Sequence, residues 1–247
     1  MEFETASSAV PARIIATTVL VLVAAGCETG PGEEVPVDEA VEGTDVELQV
    51  AGTTDQTFIA QLSPLNSDLL DDSPAGTATL EVTGDSLVIT VLAEGLPPNM
   101  MHLQHFHGFE DGAAARCPTS EADENGDGVV DVTETAPLAG TTMVPFHDEP
   151  TNLEIDAQTY PRADSEGAYS YRQAVALEAL EAAFEDRFGG GLALQDRVVF
   201  IHGVPEGTAL PETVQTKAGL PAHVTLPIAC GELEPGAESG AAERPGR

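Results

Sequence analysis

Six histidines occur in the 247-residue chain, and three of them, His102, His105 and His107, stand together in "HLQHFHG". Side chains two apart on an extended strand share a face, so His105 and His107 project together while His102 has the opposite parity. Neutral imidazoles paired in this way suit copper, zinc or iron. Buried or solvated histidines with no ligand give the same spacing, so the pair alone does not decide. His202 in "RVVFIHGV", His147 in "VPFHDEP" and His223 in "AHVTLPI" complete the set. His147 is a candidate fourth ligand, and His223 reads as structural or exposed.

A second chemistry is written in oxygen. "DENGDGVVDVTE", residues 123–134, meets the spacing of an EF-hand-type calcium loop. Asp123, Asn125 and Asp127 supply side-chain oxygens at positions 1, 3 and 5, and Gly128 makes the turn at 6. Val129 offers its carbonyl at 7, Asp131 stands at 9, and Glu134 brings the two-oxygen carboxylate at 12. Pro118 and Pro137 bracket the loop closely, so no flanking helix is expected and the role predicted is a structural calcium clamp.

The elements that must position these groups read mainly as strands. Strand-like runs are "QTFIAQL" (56–62), "GTATLEV" (76–82), "SLVITVLAEG" (86–95), "TNLEIDA" (151–157), "GAYSYRQAV" (167–175), "DRVVFIHGV" (196–204) and "AHVTLPIACG" (222–231). "TGDS" between the second and third has the chemistry of a tight hairpin turn. One helix is predicted where Leu177, Leu180, Phe184 and Phe188 recur at helical spacing, and the glycines at 189–191 end it. Many short strands joined by Gly/Pro turns predict an all-β sandwich or barrel.

The formal charge of −33 arises from 42 acidic against 9 basic residues, and Lys217 is the one lysine. Such a surface excludes nucleic acid and anionic lipid as partners. No phosphate-binding loop, dinucleotide fingerprint or nucleophilic triad stands out.

Residues 14–26, "IIATTVLVLVAAG", form an apolar run too short for a comfortable membrane span and suited to a signal-peptide core. Ending in "AAGC", it resembles the lipobox of bacterial lipoproteins, although Ala24 and the acidic Glu2 and Glu4 depart from the usual pattern. The resemblance implies a lipid on Cys27, an anchor in the cell membrane and an extracytoplasmic protein. Two cysteines then remain in an oxidising compartment, and a Cys117–Cys230 disulfide is expected. The predicted organisation is a signal peptide over 1–26, an acidic tether over 27–45, a folded domain over 46–232 and a tail over 233–247.

"HLQHFHGFED" followed by Cys117 is similar to the metal-binding strand of the Cu/Zn superoxide dismutase family. "RVVFIHGVPEG" and "IACGEL" resemble that family's late histidine-bearing strand and its closing strand. The likeness covers about residues 86–117 and 196–232. It implies a Greek-key β-sandwich or barrel, here with one inserted helix and a calcium loop. It further implies His105, His107 and His202 as copper ligands and catalytic residues, His102 as a structural histidine, and Cys117 with Cys230 as the disulfide. A small anion is the implied substrate, and copper-only superoxide dismutation the implied activity. The family's bridging histidine is replaced by Asp123, and only His147 lies between Cys117 and His202, so zinc is not expected. Pro227 stands where the family carries an anion-attracting arginine. The strand pattern also resembles chordin-type repeat domains, which implies a non-catalytic, calcium-stabilised binding or adhesion module as the alternative.

Overall fold

Alternation of apolar and polar residues builds the first three strands, whose inward side chains make one side of the core. The computed structural model describes residues 55–236 apart from Ala157 and Ala218; the signal peptide, the lipobox with Cys27, the tether and most of the predicted tail lie outside the described residues. Strand β1 spans Gln56–Pro64, β2 Ala75–Thr83 and β3 Ser86–Glu94. They bury Phe58, Ala60 and Leu62, then Ala78 and Leu80, then Leu87, Ile89, Val91 and Ala93. Full burial of each large aliphatic side chain contributes about 1.5–3 kcal/mol relative to exposure. The β2–β3 hairpin turns at Gly84 and Asp85, with Thr83 paired to Ser86 and Gly84 at φ 60°. That is the tight turn expected from "TGDS".

The remaining strands are β4 (Gln104–Gly108), β5 (Thr141–Pro145), β6 (Tyr169–Ala176), β7 (Val198–His202), β8 (Pro227–Glu232) and the short β9 (Glu234–Pro235). All pairings are antiparallel. The nine strands form one curled sheet in the order β5-β4-β7-β8-β1-β2-β3-β6, with β9 added to β1. The fold is therefore mostly β, as expected, in a single sheet. β4 and β7 lie side by side although about ninety residues separate them in the chain.

Helix α1 spans Val132–Ala139, α2 Leu177–Phe188 and α3 the single turn Ala222–Thr225. The predicted α2 forms with the predicted face. Leu180 and Phe184 are buried, Leu177 and Phe188 pack against the same core, and Gly189 closes the helix at φ 76°.

Four expectations are corrected. "TNLEIDA" forms no strand: Pro150–Asn152 make a 3-10 turn and Leu153 sits at φ 55°, a left-handed conformation a strand cannot accommodate. Residues 222–225 wind into α3 before β8 begins at Pro227. A helix does follow the acidic loop despite Pro137. Asp131 accepts the Thr133 and Glu134 backbone N–H groups while Glu134 accepts from the Asp131 N–H, a reciprocal cap. Such a cap contributes about 0.5–2 kcal/mol and sets the helix against its proline. Finally, the sheet runs past residue 232, because Pro235 and Glu234 pair with Phe58 and Ile59.

Candidate metal centre

β4 is buried along its whole length, and its two faces do different work. Phe106 enters the main core, and Gln104 is held there by donating to the Phe146 carbonyl (3.0 Å) and accepting from the Tyr169 hydroxyl (2.8 Å). The strand's parity therefore sends His105 and His107 to the opposite face. On β7, Val199 and Ile201 face the main core, while Val198 and Phe200 join a second apolar cluster with Cys230, Leu65 and Val130. Antiparallel register sets His105 opposite Phe200 and His107 opposite Val198. An irregularity between Ile201 and His202 in the β7–β8 pairing accompanies the placement of the His202 ring beside His105, with centroids 4.6 Å apart.

Each of the three rings offers a nitrogen within 4.8 Å of the other two, and all three residues are buried. Among the described residues no other group of three His, Cys, Asp or Glu side chains converges in this way. His105 Nδ1 and His107 Nε2 face each other at 3.1 Å, and the Thr142 hydroxyl lies 3.1 Å from the same Nε2. Two nitrogens at about 2.0–2.1 Å from one ion lie roughly 3–3.4 Å apart, so this pair already has ligand spacing. The 4.8 Å span is wider than the roughly 4.2 Å limit for two nitrogens on one ion, so binding a single ion requires the rings to draw together.

His202 Nδ1 donates to the Thr225 carbonyl at 2.6 Å, which fixes the tautomer and leaves Nε2 with its lone pair. That Nε2 and His107 Nδ1 are the two buried side-chain polar atoms without a hydrogen-bond partner among the described residues. Buried polar atoms are paired as a rule, so the free lone pair of His202 Nε2 fits a site built for a cation, whereas the orphaned Nδ1 of His107 is not the ring nitrogen that faces His105. Burial holds His105 and His107 well below the ordinary imidazole value, and their imidazole neighbours push the same way. Burial likewise lowers His202 to about 4, although the Thr225 carbonyl pulls upward. All three rings are thus neutral at pH 7, the form a metal binds.

A pocket of about 170 Å³ opens onto these rings, walled by Leu103, Val132, Thr142, Ile155, Leu220 and Lys217. Lys217 is also close enough that its charge lowers the His107 imidazole value further. Nothing in the sequence spacing places a cation here. The usable signal was that Lys217 is the chain's one lysine.

His102 is a buried scaffold residue, as expected. Its ring nitrogens lie 3.0 Å from the His202 carbonyl and 2.9 Å from the Pro97 carbonyl, so it braces the backbone that carries His202. His147 is not brought to the cluster. Nε2 lies 2.8 Å from the Glu154 carbonyl and Nδ1 accepts the Glu149 N–H at 3.0 Å, which leaves no lone pair for a metal. His223 sits half-buried in α3 and does not join the three either.

In the acidic loop, Asp123 accepts from the backbone N–H groups of Gly126, Asp127 and Gly128, and Asn125 accepts from Asp127. Asp127 accepts from Val129. Glu134 reaches back to the N–H groups of Glu124 and Asn125 and closes the loop on itself. Asp131 and Asp127 also reach outward. The Gln215 N–H donates to Asp131 at 2.7 Å, and the Thr213 hydroxyl donates to Asp127, whose carboxyl it holds below its ordinary value.

The Cys117–Cys230 disulfide is formed, with Cα atoms 5.7 Å apart, and ties the segment before the acidic loop to β8. The adjoining Arg116–Glu232 ion pair (3.2 Å) and the Cys117 N–H to Glu232 bond (3.1 Å) lie at the same junction. A disulfide of this span points to an oxidising, extracytoplasmic compartment. The chain matches no family model and none of the curated proteins compared with it. What geometry alone establishes is a disulfide-bonded, mostly antiparallel β protein with a buried three-histidine cluster able to hold a metal ion.

Proposed function

We propose that the protein is an extracytoplasmic copper-binding lipoprotein of superoxide dismutase-like sandwich architecture, anchored through Cys27. His105, His107 and His202 are its copper ligands. The observation that carries the reading is the convergence of three neutral, buried imidazoles, one of which, His202, keeps a free lone pair on Nε2. An all-nitrogen set suits copper, which supplies one-electron redox chemistry when bound. The residues themselves would hold the ion, and a pocket of about 170 Å³ with room for a small anion opens onto it. Superoxide dismutation is the proposed activity.

The mature protein is expected to take up one equivalent of Cu(II), and His105→Ala, which removes a ligand itself, to lower that affinity by more than the roughly 10–100-fold that loss of an outer-shell partner costs. Dismutation should follow copper loading. Absence of stoichiometric copper uptake would sink the reading. Uptake without turnover would leave copper storage as the role.

The sequence spacing of the oxygen donors Asp123, Asn125, Asp127, Val129 and Glu134, with Asp131 at the ninth position, supports calcium as a second ion, although their carboxylates accept backbone N–H groups here and do not converge as the histidines do. Calcium would act as a clamp on the segment between the disulfide and α1. The thermal midpoint should fall by several degrees in EGTA, since a ligand at about 100 times its Kd stabilises by about 2.7 kcal/mol. An unchanged midpoint argues that the loop's internal hydrogen bonds suffice without the ion.

A further inference from the structure

Lys217 stands out by charge and by place. In a chain with 42 acidic residues its one lysine has no carboxylate within ion-pair distance among the described residues, where the ion pairs engage Arg116 and His147. It is exposed, and it walls the pocket onto which the three histidines open. A lone cation in so negative a surface would be expected to collapse onto the nearest carboxylate unless its backbone were held elsewhere.

The backbone is held. Lys217 follows a segment without regular structure, and two contacts fasten that segment to the acidic loop. The Thr213 hydroxyl donates to Asp127, and the Gln215 N–H donates to the buried carboxylate of Asp131 at 2.7 Å. Asp131 is itself fixed as the cap of α1, whose first residue, Val132, lines the same pocket. Helix start and strap thus contribute Val132 and Lys217 to the pocket's lining, and the acidic loop is joined to the strap.

We propose that residues 213–217 form a strap, latched to the acidic loop through Thr213 and Gln215, that carries Lys217 over the three-histidine pocket as the binding cation for a small anionic ligand of the metal. The proposal rests on the three histidines holding a metal, and it names the charge class that the site admits. The pocket's other lining is mainly apolar, with Leu103, Val132, Ile155 and Leu220. A small anion entering it leaves water and gains the ammonium and the metal together. A volume of about 170 Å³ limits the ligand to a small one.

The test uses the Cu(II)-loaded protein and azide, followed by the azide-to-copper absorption band. Lys217→Gln is expected to weaken azide binding by about fivefold or more and to flatten its dependence on ionic strength. Lys217→Arg is expected to restore both. Carbon monoxide bound to the Cu(I)-loaded protein, a neutral probe, is expected to keep its affinity in Lys217→Gln. Thr213→Val, which removes one latch and leaves α1 capped, is expected to weaken azide by about two- to fivefold. Normal copper uptake with azide affinity equal in wild type and Lys217→Gln overturns the role of Lys217 while leaving the metal reading intact. Equal loss of azide and carbon monoxide affinity also overturns it, since a displaced pocket wall rather than charge is then responsible. Azide affinity unchanged in Thr213→Val overturns the latch. Failure of the wild type to bind copper overturns the metal reading, and this proposal with it.

Discussion

At the scale of residues, the cluster depends on imidazoles kept neutral by burial. His202 sits near 4 in the folded protein against an ordinary 6.5, so the fold favours its neutral form. That contribution is complete above about pH 6.5 and is lost as pH falls from there through 4. His105 and His107, both lowered, act in the same direction. Urea unfolding of the metal-free protein should therefore show a loss on the order of 2–3 kcal/mol from His202 between pH 7 and pH 4, reduced in His202→Gln. A slope identical in the two proteins would show that His202 titrates normally. Gly140 presents a steric case. It ends α1 at φ 73°, and a Cβ there would lie 2.0 Å from the Gly108 carbonyl oxygen at the end of β4. Gly140→Ala should cost about 2–4 kcal/mol and disturb His107 through β4, measurable as a lower denaturation midpoint and weaker copper uptake.

At the scale of elements, the site is an intersection of β4, β7 and the loops laid over their outer face. Alternation in β4 was legible in the sequence, because "HFH" places its phenylalanine and its histidines on opposite faces whatever the surroundings. The predicted α2 was equally legible from its apolar stripe, which needs only a core to pack against. α1 was not, since Pro137 argues against a helix and the reciprocal Asp131–Glu134 cap outweighs it. Asp131→Ala removes that cap and the Gln215 latch together. It should destabilise by about 1–2 kcal/mol or more. It should also raise hydrogen exchange at Thr133, Glu134 and Gln215, and unchanged exchange there would show that these contacts are dispensable. His147 was offered as a ligand from its residue type alone. The structure gives both of its nitrogens to the 147–154 turn, a local demand that spacing does not reveal.

At the scale of the whole molecule, the Cys117–Cys230 bridge closes a span of 113 residues that contains α1, β5, β6, α2 and β7. The chain-entropy model gives about 4–5 kcal/mol for a loop of that size. Reduction, or Cys117→Ser with Cys230→Ser, should lower the thermal midpoint by roughly 10–20 °C. A shift of only a degree or two would show that the sheet register alone holds the two halves of the site together. The charge of −33 acts over the same scale: it opposes anionic partners everywhere except where a fixed cation interrupts it, which gives Lys217 its meaning. The sequence by itself determined the β class, the facing of His105 and His107, the α2 stripe and the cysteine pairing. These rest on local periodicity or on there being few residues to choose among. The resemblance already implied His202 as the third member of the cluster; only the tertiary structure decided that its ring does lie beside His105 while His147 stays away, that the acidic loop reaches the strap, and that the one lysine lines the pocket. Those facts depend on antiparallel register and loop packing between segments about ninety residues apart, and a spacing along the chain carries no record of which distant backbone comes to lie beside it.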